Sequence, residues 1–286
     1  MANTIQLRKQ YSTLLDEVYK LASLTSVLDG PNELVREGAN ANEILIPKMD
    51  MDGLANYDKA SGYEAGSVTL DYETKKCAYD RGRMFTVDAM DNIESAGIAF
   101  GRLSGEFLRT KVVPEIDAWR LASYASISEV TTVKEDLSTG KAALAALRAA
   151  RTEIENSEAN LATCYLFINP LLVGMIDDLD TTASKKAMEG FAGIKKIPQG
   201  RFYSKISLTA KGAGGFTKPA GALNMNFMIV DKQAAIQYQK HTVSKIISPE
   251  QNQTADAWKF GYRTVGIAEC KDNKKDGIYV HTVKGE

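Results

Sequence analysis

The segment from Glu37 to Asp91 constrains this chain most. Two strand-like runs, Glu43–Met49 and Ser67–Val87, flank a polar stretch that carries several glycines. The second run alternates strictly at its start, with Val68, Leu70 and Tyr72 on one face and Thr69, Asp71 and Glu73 on the other. That period of two predicts a strand with one apolar face. A lone two-stranded hairpin is marginal in water, so something must cover that face. Strands advance about 3.3 Å per residue. An arm this long is better suited to lying on a neighbouring molecule than to folding back on its own chain. Even positions carry the strand's apolar face through Thr74, and odd positions carry it from Cys77 through Tyr79, Phe85 and Val87. The change of parity predicts a bulge or bend near Lys75-Lys76.

At 286 residues the chain is long enough for a sizeable core in one or two domains. Its 35 Lys and Arg nearly cancel its 36 Asp and Glu. A chain that grips nucleic acid through phosphates carries a basic excess or tract, so strong nucleic-acid binding is not expected. Cys77, Cys164 and Cys270 have no metal or redox spacing, which points to a reduced setting. The first twenty residues lack an apolar signal core. The apolar run Tyr165–Ile176 contains Asn169 and Pro170 and is too short to span a bilayer.

Along the rest of the chain, a narrow apolar stripe of Leu7, Tyr11, Leu14, Val18, Leu21 and Leu28 predicts an amphipathic helix over 5–28, ended by Gly30-Pro31. It must dock, on its own core or as an arm on a neighbour. A long helix is expected over 92–127, kinked or interrupted at Pro114. Gly97, Gly101 and Gly105 would give it a face for close backbone approach. A helix over 141–156, a buried strand over 164–168 and a helix begun by Asn169-Pro170 follow. The glycine-rich stretch near 211–221 reads as a mobile loop, followed by a strand over 226–230 and a short helix over 232–238. Two strands, Trp258–Cys270 and Gly277–Val283, close an α+β chain without repeats.

Catalytic motifs fail on inspection. Gly140-Lys141 lacks the upstream glycine and the following Ser or Thr of a phosphate loop. Gly212–Gly215 lacks the strand-to-helix setting of a dinucleotide fingerprint. Asp50, Asp52, Asn56 and Asp58 resemble a calcium loop, but Leu54 and Ala55 stand where an oxygen ligand and a glycine are needed. His241 and His281 have no Asp or Cys in local register, and Ser104 is not placed as a nucleophile elbow. Asp177, Asp178 and Asp180 read as an acidic patch, and Asn252-Gln-Thr254 is a sequon without secretory context. No catalytic, cofactor or metal residue is expected. Lys75, Lys76, Arg81 and Arg83 lie along the second arm strand. They read either as a solvated edge or as partners across a subunit boundary for Asp50, Asp52 and Asp58.

Taken together, REGANANEILIPKMDMDGLANYD, YDRGRMFTVDAMDN, AGIAFGRLSGEFLRTKVVPEIDAWRLASYA and KDNKKDGIYVHT resemble the major capsid proteins of tailed bacteriophages with the Hong Kong 97-type fold, from phages or prophages of Gram-positive hosts. The resemblance implies an N-terminal arm over 1–40 and an extended loop with its base over 41–91. It implies a peripheral domain with its spine helix over 92–137, an axial domain over 138–245 and return strands over 246–286. It implies a virion protein, assembled in the host cytoplasm as pentamers and hexamers, with a separate scaffolding protein and a portal, around double-stranded DNA held without strong binding. Contacts between subunits would fall on Leu7, Tyr11, Leu14, Val18, Asp50, Asp52, Leu54, Tyr57, Lys59, Tyr63, Lys75, Lys76, Arg81 and Arg83. One branch of the family forms Lys–Asn crosslinks promoted by a Glu; that triplet does not align here, and Lys59 would be the lysine. An encapsulin-like nanocompartment shell shares the fold, and an enzyme with an unrecognised site is the reading from another class.

Overall fold

The computed structural model describes residues 23–30, 36–37, 43–59, 62–94 and 98–285. The stripe residues Leu7, Tyr11, Leu14, Val18 and Leu21 lie outside them. The strands are β1 (Arg36–Glu37), β2 (Glu43–Met51), β3 (Val68–Lys76), β4 (Tyr79–Asp88), β5 (Thr131–Lys134), β6 (Cys164–Ile168), β7 (Gly193–Lys196), β8 (Ser207–Leu208), β9 (Phe216–Thr217), β10 (Met225–Asp231), β11 (Ala235–Ile247), β12 (Ala257–Cys270) and β13 (Ile278–Thr282). The helices are α1 (Ala89–Glu94), α2 (Ile98–Phe107), α3 (Val113–Ala125), α4 (Gly140–Asn156), α5 (Pro170–Asp177) and α6 (Thr182–Met188).

The body is built on a five-stranded sheet of order β5-β13-β10-β6-β7. Every residue of β10 is buried, because the sheet is covered on both faces. Phe227 and Ile229 meet Ala143, Leu147, Ala150 and Ile154 of α4, a stripe with helical spacing. Met228 and Val230 point the other way, to Leu121, Tyr124 and Phe202. Thr139 caps α4 by accepting from Ala142 N, and Asn169 caps α5 by accepting from Leu171 N, with Pro170 in the first turn. A second sheet, β11-β12-β4, packs Phe260, Tyr262 and Tyr79 on Leu108, Val112 and Ile116. The arm is a third sheet, β1-β2-β3. Strand β12 runs through three packing clusters, placing Phe260 in one, Ile267 against Ile44 and Ile236 in another, and Ala268 with Cys270 in the main core.

Several local expectations need correction. The run Ser67–Val87 is two strands in two sheets, broken at Cys77-Ala78, so the parity change marks a change of sheet and not a bulge within one strand. Over the described residues 23–30, the end of the helix expected to reach residue 28 is a 3-10 turn at Ser26–Leu28. The segment before α3 is a π-helical turn, Leu108–Val112, directly upstream of Pro114, which lacks an N–H to donate to an earlier carbonyl. Residues 235–247 are a long strand, because Ile236 and Tyr238 alternate onto Ile44 and Ile267. The glycine-rich stretch forms a β8–β9 hairpin in which Gly212, Gly214 and Gly215 take the positive φ values its turn requires. The close-approach face proposed for the glycines is not used at Gly105, where a Cβ would meet open space. The two final strands are joined in sequence but belong to different sheets.

Candidate functional site

The register of the arm decides what it presents. Met51 pairs with Val68, Met49 with Leu70 and Pro47 with Tyr72. Directly opposed residues share a face, so the outer part of one side of the arm is apolar, with Glu43 opposite Lys76 at its base, while Lys48 with Asp71 and Asp50 with Thr69 form the other side. No described element of the chain lies on this apolar face. Val68 is 68% exposed, Leu70 56% and Met51 61%. At the tip Leu54 is fully exposed, and Tyr57 and Tyr63 are mostly so. These two rings meet edge to face at 4.9 Å, and Asp58 and Gly62 exchange backbone hydrogen bonds beside them. The Asp52 carboxylate accepts from Ser67 N at 2.6 Å and closes the loop. Asp50 accepts from the neighbouring Met51 N, and Lys59 is exposed. The expected contact residues of the tip therefore stand together on one projecting element.

The basic residues of the second run divide. Lys76 is exposed, and Lys75 reaches back to Asp272 at 3.1 Å. Arg81 is neither a solvated edge nor free for a neighbour. It pairs with Glu115 of α3 at 2.8 Å and donates to the carbonyls of Thr209 at 2.8 Å and Gly215 at 3.3 Å. Tyr79 donates to the same Glu115 at 3.0 Å. Burial first, then the Glu115 carboxylate, holds the Tyr79 phenol well above its ordinary range. Arg83 donates to the Gly212 carbonyl. These two arginines pin the β8–β9 hairpin over the helix and leave a cleft of about 880 Å3 between β4, the α2–α3 helix and the hairpin.

A second polar centre fixes the segment that leads to the arm. Asp117, fully buried on α3, accepts from Ser23 Oγ and Thr25 Oγ1, each at 2.7 Å, and from the backbone N–H groups of Leu24 and Thr25. Arg120 reaches Asp29 at 3.2 Å, and Gln237 donates to Thr25 O and Asp29 Oδ1. Sequence reasoning passed over these residues and Glu115. Their one signal is that Glu115, Asp117 and Arg120 stand within an otherwise apolar helical stretch, where charge is rare unless paired.

Several residues weighed for chemistry are tied into the fold of the described residues. Among the described residues no group of three or more His, Cys, Asp or Glu side chains could hold a metal ion. His281 is buried, stacked on Phe227 at 4.8 Å and hydrogen-bonded through Nδ1 to Asn226. Burial pushes the Cys164 thiol up to about 12, so it is not a ready nucleophile. Asp180 pairs with Lys185. No described helix is long and apolar enough to cross a membrane.

No family model matches the sequence, and no curated protein matches it. Solved structures do. A capsid structure of the cyanophage P-SCSP1u aligns over 88% of this chain and 86% of its own, with a TM-score of 0.58 at 10% identity. A capsid of Staphylococcus phage Andhra aligns over 89% and 84%, with a TM-score of 0.55 at 11% identity. A virus-like particle from Pyrococcus furiosus aligns over 98% and 100%, with a TM-score of 0.56 at 16% identity. At these identities the likeness is one of fold: the chain has the α+β capsid fold that its sequence resemblance implies.

Proposed function

We propose that this chain is a major capsid protein of a tailed phage or prophage, of the Hong Kong 97 type, whose work is to bury its arms on sister copies until a closed shell forms. The observation that carries this reading is the uncovered apolar face of the β2–β3 arm, set on a body with a capsid fold. Many modest interfaces of this kind suit a closed symmetric assembly. In this reading residues 1–40 are the N-terminal arm, 41–91 the overlapping loop, 92–137 the peripheral domain, 138–245 the axial domain and 246–286 the return strands. Pentamers and hexamers form in the cytoplasm of a Gram-positive host, with a scaffolding protein and a portal. The near-balance of charge suits a wall that encloses double-stranded DNA without gripping it. Leu7, Tyr11, Leu14 and Val18 are assigned to contacts of the N-terminal arm.

The Pyrococcus furiosus particle, matched over nearly all of both chains, favours a second reading, an encapsulin-like shell around cargo proteins. Negative-stain microscopy of the purified protein tests both. Closed particles are expected. Nuclease-protected DNA inside particles from the native source supports the phage coat, and co-purified cargo enzymes support the nanocompartment. A small oligomer that never forms particles and turns over a substrate would overturn both.

A further inference from the structure

A second cleft, of about 600 Å3, opens where the end of the central sheet meets β11. Two turns build its wall. The β10–β11 turn supplies Lys232 and Gln233, and the turn after β12 supplies Lys271 and Lys274. The backbone holds both turns in place: Lys232 N donates to Thr163 O at 3.2 Å, Lys271 N to Ala234 O at 3.0 Å and Lys274 N to Lys271 O at 3.0 Å. The Lys274 ammonium donates to Gln233 Oε1 at 3.3 Å and ties one turn to the other. Tyr165, Ile236 and Tyr238 also line the cleft, so the ammoniums share it with apolar surface.

The charge on this cleft is unbalanced. Its described lining carries three lysines and no carboxylate. Flanking lysines are matched, Lys275 by Glu129 at 2.7 Å and Lys75 by Asp272 at 3.1 Å. Among the described residues no carboxylate pairs with Lys232, Lys271 or Lys274. Asp231 acts on Lys271 from beside the cleft, but its Oδ1 already accepts from Thr163 Oγ1 at 2.7 Å and from Gln233 N at 3.0 Å. Burial, and then the Lys274 ammonium, outweigh it and lower the Lys271 pKa. A half-buried ammonium beside a like charge is costly until an anion joins it.

We propose that this cleft binds a phosphate oxyanion, held by Lys271 and Lys274 with the exposed Lys232 at its mouth. Phosphate suits the site better than a carboxylate does. Three ammoniums less the Asp231 carboxylate leave two positive charges in excess, and a phosphate group brings about −1.5 to −2 charge at pH 7 with three acceptor oxygens. Lysine meets phosphate as a point charge and needs no bidentate fork. Two sources present this group, a free phosphate ester and the backbone of a nucleic acid. The site lies within one protomer and does not depend on the shell-forming reading.

Titration calorimetry of the full chain with pyrophosphate tests it, in about 150 mM chloride to screen non-specific attraction. One site per chain is expected, with a Kd of about 1 mM or tighter. Lys271→Met and Lys274→Met are each expected to weaken binding about tenfold or more. Lys141→Met, at an exposed lysine of α4, should leave it unchanged. In phosphate-free buffer Lys271→Met is expected to melt no lower than the wild type, because it removes a desolvated like charge; this separates lost binding from lost folding. Acylation by an amine-reactive ester, mapped by mass spectrometry, locates the ion: pyrophosphate is expected to protect Lys271 and Lys274 and not Lys141. Displacement of pyrophosphate by a mononucleotide but not by a short DNA duplex assigns the site to a free phosphate ester, and displacement by the duplex assigns it to a nucleic-acid phosphate. No binding, or binding that the Lys271 and Lys274 substitutions leave intact, overturns the site.

Discussion

The β2–β3 arm and the central five-stranded sheet draw on the same residue types and the same pleated backbone, yet end in opposite environments. Val68 on the arm is 68% exposed and Val230 in the sheet is fully buried; Leu70 is 56% exposed and Leu166 fully buried. The difference lies in what stands above each strand. Helix α4 and the α3 helix close the two faces of the central sheet, whereas no described element of the chain lies on the apolar face of the arm. Complete burial of a Val, Leu or Met side chain is worth about 1.5–3 kcal/mol. The body realises that gain on folding; on the arm, in the proposed reading, it is left for association.

Deleting residues 51–66 should break the comparison most sharply. The described residues in the cut are exposed apart from the half-buried Gly62, so the protomer is expected to melt within a few degrees of the full chain, yet closed particles should vanish in micrographs. Normal shells from the deletion would mean that the arm is not what joins the copies.

Matched truncations sharpen the contrast. Phe227→Ala in the doubly covered sheet is expected to cost the protomer about 3–5 kcal/mol in urea titration. Leu70→Ala on the arm should stay within about 0.5 kcal/mol, while weakening assembly. Equal costs at the two sites would show that the arm packs on its own body in solution. Asp117→Ala tests the joint between the two regimes. It strands the donors of residues 23–25 and removes the carboxylate beside Arg201, and a loss of about 3 kcal/mol in the same titration is expected.

The smallest effect expected is on pH dependence. Burial lowers the His281 pKa below its ordinary 6.5, so the unfolded chain binds the proton more readily than the folded one. Stability is therefore expected to fall as pH drops below about 6.5, and His281→Gln should flatten that slope.

What could be read from the chain in advance follows from how local each signal is. The alternation in Val68–Tyr72, the cap at Asn169 and the β10 run are settled within a few residues, and all take the expected form. The misreadings fall where a distant partner decides. Residues 232–238 look helical until Ile44 and Ile267 draw Ile236 and Tyr238 into a strand. Arg81 looks like a surface charge until Glu115, thirty-four positions later, is brought to 2.8 Å.

The sequence by itself determined that the arm is a strand pair with one greasy side, because side-chain alternation is a property of adjacent residues and needs no tertiary context. Only the tertiary structure decided that no described element covers the greasy side, that Arg81 turns inward and that a cleft opens beside the helix. Each depends on which distant segments pack together, and packing is settled by the whole chain at once.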